Sequence, residues 1–160
     1  MTIKKILSLN FLLWSSVVFS QTVSANYKIQ DLLNRLSSKD TVYVVNFWAT
    51  WCKPCIQELP AFDSLNAMTN TSSTKVLLVC LDFSDELNTK VIPFLKKKNI
   101  QSECVLLDEV NGNDYINKIS PAWSGAIPAT YFQSRTKTLL VEKKMNLREL
   151  EKQLVELKRD

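Results

Sequence analysis

The chain contains no histidine. That absence excludes Ser-His-Asp and Cys-His catalysis and any His-ligated zinc or haem iron, and it narrows the candidate chemistry to thiols and carboxylates. A long apolar run is lacking too. Ile6 to Phe19 is broken by Ser8, Asn10, Ser15 and Ser16, and it falls short of the roughly 20 residues that a membrane-spanning helix needs. Charge of one sign is also scarce. The formal net charge is +4, and without Lys4 and Lys5 it falls to roughly +2, too little to argue for nucleic acid. No internal repeat, linker or low-complexity tract divides the chain. A length of 160 residues suits one domain with a proper core.

What is present begins with an export signal. Lys4 and Lys5 precede the short apolar stretch, and small residues follow it, the pattern of a secretory signal peptide. Residues 1–20 are assigned to it, with cleavage near 20/21 after Val18-Phe19-Ser20. Val23-Ser24-Ala25 offers a second site at 25/26. Left uncleaved, the stretch would act as an N-terminal anchor, the one membrane contact expected. No cysteine follows it to carry a lipid. Residues 21–160 then form a single extracytoplasmic domain, expected to be a monomer, in a compartment where thiols oxidise unless something reduces them.

Along that domain, apolar periodicity predicts alternating elements. Tyr27 to Ser38 reads as a short amphipathic helix, with Ile29, Leu32, Leu33 and Leu36 on one face. Thr41 to Trp48 and Lys75 to Phe83 read as buried strands. A helix is expected from about Pro54 to Met68, with Pro60 inside it as a kink. Another helix ends at Lys96-Lys97-Lys98, where lysines suit the negative end of the dipole. Glu103 to Asp108 is a third strand and Asn111 to Ile119 is expected to be helical. Pro128 to Gln133 and Thr138 to Lys143 form a hairpin, although its turn, Ser134 to Lys137, lacks the glycine usual there. Asn146 to Glu149 resembles a capping box that opens a last helix. The order implies an α/β sheet covered on both faces.

The chemistry concentrates at Cys52 and Cys55 in Trp51-Cys52-Lys53-Pro54-Cys55. Such a pair is half of a zinc site, a structural disulfide or a redox dithiol. Zinc needs two further ligands, and Cys80 and Cys104 lie far apart in sequence. A disulfide closing so small a loop constrains the unfolded chain little. The context of strand, tight turn and helix favours the redox reading. Cys52 falls at a helix N-terminus, where free N–H groups and the dipole stabilise a thiolate. Pro54 suits the first turn, and Lys53 adds a nearby positive charge. Cys55 lies one turn in, placed to resolve a mixed disulfide. No metal or other cofactor is expected beyond the disulfide itself.

Val44 to Cys55, with Pro60 five residues on and Trp123 to Thr130 further along, resembles the thioredoxin-like superfamily, in particular the TlpA/ResA branch of exported bacterial thiol–disulfide oxidoreductases. The resemblance runs from about Thr41 to the end. It implies a thioredoxin-like fold, with a central mixed β-sheet flanked by helices on both faces and a TlpA-type helix–strand insertion. It implies a cis bond at Ile127–Pro128, against the 5–6% usual for X-Pro, facing the dithiol. It gives Cys52, Cys55, Glu58 and Pro128 catalytic roles, with Glu58 tuning the thiols and shuttling a proton. Trp51, Lys53, Pro54 and the Ile127 backbone would meet the substrate, and Trp123 would either extend that surface or pack beneath it. Asn46 stands where thioredoxin itself has a buried acid and reads as a hydrogen-bonded strand residue.

Expected partners are oxidised exported proteins as substrates, apocytochrome c among the candidates, and a membrane thiol-electron donor. The localisation implied is the periplasm or an equivalent bacterial compartment. Cys80 and Cys104 read as buried thiols, a second disulfide being the alternative. The motif leaves direction open. A reductase is the leading reading; a dithiol oxidant or isomerase, a peroxidase and a redox-sensing binding module are the others. The peroxidase reading would need a Pro/Thr loop before its cysteine, which is absent from the sequence.

Overall fold

A computed structural model of the chain describes residues 23–69 and 72–159. The expected signal segment and the 20/21 cut lie outside them. Six strands form one sheet: β1 (Asn26–Tyr27), β2 (Val42–Trp48), β3 (Thr74–Cys80), β4 (Glu103–Leu107), β5 (Ala129–Gln133) and β6 (Thr138–Val141). Five α-helices accompany them: α1 (Ile29–Leu36), α2 (Lys53–Thr69), α3 (Ile92–Lys98), α4 (Ile116–Ile119) and α5 (Leu147–Lys158). The sheet order is β1-β4-β3-β2-β5-β6. β1, β4, β3 and β2 run parallel, whereas β5 and β6 are antiparallel to their neighbours. This is the thioredoxin-like α/β architecture, with α3 and β4 as the helix–strand insertion.

Both faces of the sheet are covered, so its central strands are apolar throughout rather than alternating. Val44, Trp48, Val76, Leu78 and Cys80 meet α2, α3 and α5 through Leu59, Phe62, Leu65, Leu95, Leu150 and Leu154 on one side. Val45, Phe47, Leu77, Val79 and Val105 meet α1 and α4 on the other, through Ile29, Leu32, Leu36 and Ile119. The two sides are the two parities of the same strands. Helix α2 runs unbroken through Pro60. The three lysines close α3, and Asn99, in the left-handed region at φ 53°, ends it.

Two sequence expectations change, and the hairpin forms as expected. Tyr27 opens no helix: with Asn26 it pairs with Leu106 and Leu107 of β4, because an edge of the sheet is available before α1 begins. Ser24 and Ala25 extend that pairing through backbone bonds to Cys104 and Leu106. A cut after Ala25 would remove both, and a cut after Ser20 keeps them. The Asn111–Ile119 stretch is not one helix. A 3-10 turn, Gly112–Asp114, is separated from α4 by Tyr115 at φ −129°. The hairpin needs no glycine, since Ser134 N donates to Lys137 O and the Ser134 hydroxyl accepts from Lys137 N. No residue of that turn has positive φ.

Candidate active site

All the parallel strands point the same way, so their carboxyl ends share one edge of the sheet, and β5 starts from that edge. Cys52 follows β2 there and immediately precedes α2. It occupies the N-cap position. Its carbonyl accepts from Ile56 N at 3.1 Å, and its sulfur accepts from Cys55 N at 3.3 Å. This is the bond that a serine cap would make through oxygen. The same N–H, at the positive end of a 17-residue helix, would stabilise a thiolate once the sulfur is free.

Cys52 and Cys55 are joined as a disulfide with Cα atoms 5.3 Å apart. Cys52 is 6% exposed and Cys55 is fully buried. Trp51, Lys53 and Pro54 surround the pair as exposed residues. Ile127–Pro128 is a cis bond at the start of β5, which pairs with β2 from Phe47↔Ala129 onward. Gly125 sets up that approach at φ +90°, and a Cβ there would lie 2.8 Å from Ile116 Cδ1. Trp123 does not extend the outer surface. It is buried, stacked 4.5 Å from the ring of Phe47, with its Nε1 donating to Ala126 O at 2.9 Å.

Glu58 lies one turn beyond Cys55 on the same helix face, and it is 2% exposed. Asn46 Nδ2 donates to its Oε1 at 2.7 Å, and Met145 N donates to its Oε2 at 2.7 Å. Burial pushes the Glu58 carboxyl up from its usual range to about 7. The Met145 N–H, the Asn46 amide and the charge of Lys144 oppose that rise. Asn46 is therefore a clamp: the acid that β2 lacks is supplied from α2 and held by the β2 amide.

Two partners at this edge escaped the sequence reading. Asp82, just after β3 and buried, accepts from Thr50 N at 2.7 Å and from the Thr50 hydroxyl, tying the turn before Cys52 to the next strand. The available signal was an aspartate directly after an apolar strand. Met145 N offers none, being backbone 87 positions from Glu58.

Cys80 and Cys104 are free and buried. They sit two residues out of register on adjacent strands, with Cys104 opposite Leu78. Burial raises both thiols, Cys104 to about 12. Oxidised native protein is expected to show no thiol to Ellman's reagent, and two after denaturation. Finding none after denaturation would reveal a second disulfide.

The description "AhpC/TSA family" belongs to the family model that matches residues 21–149. An uncharacterized protein of Haemophilus influenzae is 32% identical over 111 residues, which is 66% of this chain and 71% of that one. Sporulation thiol-disulfide oxidoreductase A of Bacillus subtilis is 31% identical over 71 residues, 44% of this chain and 43% of its own length. Among solved structures, StoA from Bacillus subtilis has a TM-score of 0.59 at 23% identity, covering 73% of this chain and 84% of that one. A thioredoxin-related protein from Neisseria meningitidis serogroup B has a TM-score of 0.61 at 24% identity, covering 72% and 84%. These two share the fold.

Proposed function

The chain belongs to the AhpC/TSA family, and on that premise we propose that this thioredoxin-like thiol–disulfide oxidoreductase is exported and reduces disulfides in other exported proteins. The observation that carries the reading is the Cys52 sulfur at the cap of α2, bonded to the buried Cys55 and facing the Cys55 N–H. A zinc or purely structural role would leave that cap geometry and the buried Glu58 without a purpose.

In the reduced enzyme the Cys52 thiolate attacks one sulfur of a partner disulfide. That disulfide breaks, a bond forms between Cys52 and the partner, and the partner's other sulfur leaves and takes up a proton. The Cys55 thiol then gives its proton to the Glu58 carboxylate and attacks the Cys52 sulfur. The partner's first sulfur leaves and is protonated in turn. Two electrons and two protons have passed to the partner, and Cys52–Cys55 is a disulfide again. A membrane thiol-electron donor resets it by the same exchange in reverse. Trp51, Lys53 and Pro54 form the rim that a partner meets, and the backbone at Ile127 pairs with the partner's extended segment in strand-addition style. The basic start and short apolar stretch of residues 1–20 support export.

Direction is a matter of potential, so the deciding measurement is the two-electron potential of the domain from Gln21 onward, equilibrated in a dithiothreitol or glutathione series. The expected value lies near or below about −270 mV, the thioredoxin range. A value near about −120 mV, that of a strong periplasmic oxidant, would reverse the reading and make the protein a disulfide donor.

A further inference from the structure

The loop that feeds β5 is held from three directions. From beneath, the buried Trp123 packs on Phe47 and its Nε1 donates to Ala126 O. Within the loop, Ala126 N donates to the Ser124 hydroxyl at 3.3 Å, closing a short turn over Gly125. From the side comes Glu142, the residue after β6. Its Oε1 accepts from Ser124 N at 3.0 Å, and its Oε2 accepts from the Ser124 hydroxyl. The sheet register brings them together. Val141 stands opposite Thr130, so the chain leaves β6 beside the loop that enters β5.

Single hydrogen bonds between exposed groups add little to a fold. The Glu142 bracket differs in kind, because one carboxylate takes both the N–H and the O–H of one residue. A bidentate grip on an ionised acceptor fixes orientation as well as distance. The Ser124 hydroxyl first, and the Ser124 N–H second, hold the Glu142 carboxyl below its usual range. The bracket is therefore ionised throughout neutral pH.

Three residues past Ser124 the loop presents something useful. Ile127 is half-buried and packs against the cluster that contains Cys52 and Cys55. Its backbone N–H and C=O make no hydrogen bond among the described residues. Such groups call for a partner. A loop already held in the right shape binds that partner without first losing conformational freedom.

We propose that Glu142 is a positioning residue for the partner segment: by bracketing Ser124 it keeps the Ile127 N–H and C=O presented to an extended peptide, and so favours polypeptide disulfides over small ones. This rests on the pairing of Ile127 with a partner strand described above and adds the device that makes it selective. Glu142 touches neither sulfur and acts only through the loop. Geometry rather than charge is what it supplies. Glutamine preserves that geometry, since its carbonyl accepts from Ser124 N and its amide donates to the Ser124 hydroxyl. Alanine preserves none of it.

The test uses the reduced mature protein and two oxidants that release the same thiol. One is a short peptide whose single cysteine is bonded to 2-mercaptoethanol. The other is bis(2-hydroxyethyl) disulfide, which has no peptide group. Second-order rate constants for oxidation of the protein are read by quenched-flow mass spectrometry. Glu142→Ala is expected to slow the peptide reaction about tenfold, the scale of one to two backbone hydrogen bonds, and to leave the small disulfide within about twofold of the parent. Glu142→Gln is expected to stay close to the parent with both. Methylating the peptide's backbone nitrogens beside its cysteine should slow the parent by a similar factor and add little to the loss in Glu142→Ala, because both changes remove the same bonds. An alanine variant that keeps the peptide rate, or that loses both reactions alike, would overturn the proposal, as would a glutamine variant as slow as alanine. A parent indifferent to N-methylation would instead sink the Ile127 pairing. Failure of bis(2-hydroxyethyl) disulfide to oxidise Cys52 and Cys55 in the parent would sink the redox reading beneath both.

Discussion

Cys55→Ser is expected to turn the protein from a catalyst into a covalent trap. Turnover should fall by roughly three orders of magnitude or more, the scale on which losing one member of a nucleophilic unit acts. Cys52 keeps its cap position and its attacking thiolate. The hydroxyl that replaces the Cys55 thiol does not ionise near neutral pH and cannot displace a partner from Cys52. The mixed disulfide therefore accumulates and should appear in intact-mass spectra as a stoichiometric, dithiothreitol-sensitive adduct. The asymmetry follows from exposure, since Cys52 is at the surface by a margin and Cys55 has none. Cys52→Ser, with the attacking sulfur gone, should lose turnover equally and form no adduct. Equal trapping by both variants would show that the roles of the two sulfurs are interchangeable and would refute the assignment.

Glu58→Gln should move stability and rate in opposite directions. The folded carboxyl titrates at about 7, above its usual 4.5. The folded state therefore binds the extra proton between those values. Stability from this group is fully present below about pH 4.5 and is lost as pH rises through 7, amounting to about 3 kcal/mol. Glutamine carries no such penalty, so the variant should be the more stable of the two at pH 8, and the difference should vanish below pH 4.5. The substitution can be accommodated. Glutamine's carbonyl takes the Met145 N–H, and its amide can donate to Asn46 Oδ1, which is buried without a partner, once the Asn46 amide turns over. On the proposed mechanism the rate should fall, because Glu58 takes the Cys55 proton in it. In the parent the resolving step should rise with pH through an apparent pKa near 7, and that limb should disappear in the variant. Denaturant melts from pH 4 to 9 and single-turnover kinetics over the same range decide it. A pH limb that survives in Glu58→Gln would remove Glu58 from the proton path.

On the proposed mechanism, so costly a residue in a core has a reason. A carboxylate on the surface titrates too low to accept a proton from a thiol efficiently at neutral pH. Burial, opposed by two donors and the charge of Lys144, brings the Glu58 carboxyl up to about 7.

Sequence and structure agree most closely where one physical signal dominates. The apolar strands at Val42–Trp48 and Thr74–Cys80, the α5 cap at Asn146 and the helix face carrying Leu59, Phe62 and Leu65 follow from periodicity and capping alone. Cys52, Cys55 and Pro128 were legible because their chemistry is bound to short motifs. What escaped depended on long-range geometry. The β1 pairing involves two residues with no strand-like run, and its partner lies about eighty residues on. Tyr115 breaks the expected helix because its ring packs on Trp123, with centroids 5.8 Å apart. Trp123 itself had equal claims to surface and core until Phe47 and Tyr115 were seen to enclose it. Asp82 and the Met145 N–H act across loops that only the finished sheet brings together.

Strand β4 owes its outer neighbour to very little chain. Two residues of β1, helped by Ser24 and Ala25, are all that cover that rim among the described residues. A rim with free N–H and C=O groups is a template for another molecule's strand. Trimming at Ala25 rather than Ser20 would strip part of this cover from Cys104 and Leu106 while leaving the redox turn intact. The two expected cleavage sites thus differ in how much of the β4 backbone they leave covered. The longer product keeps the Ser24 and Ala25 bonds, whereas the shorter one bares the Cys104 carbonyl and the Leu106 N–H while Asn26 and Tyr27 stay paired with Leu106 and Leu107.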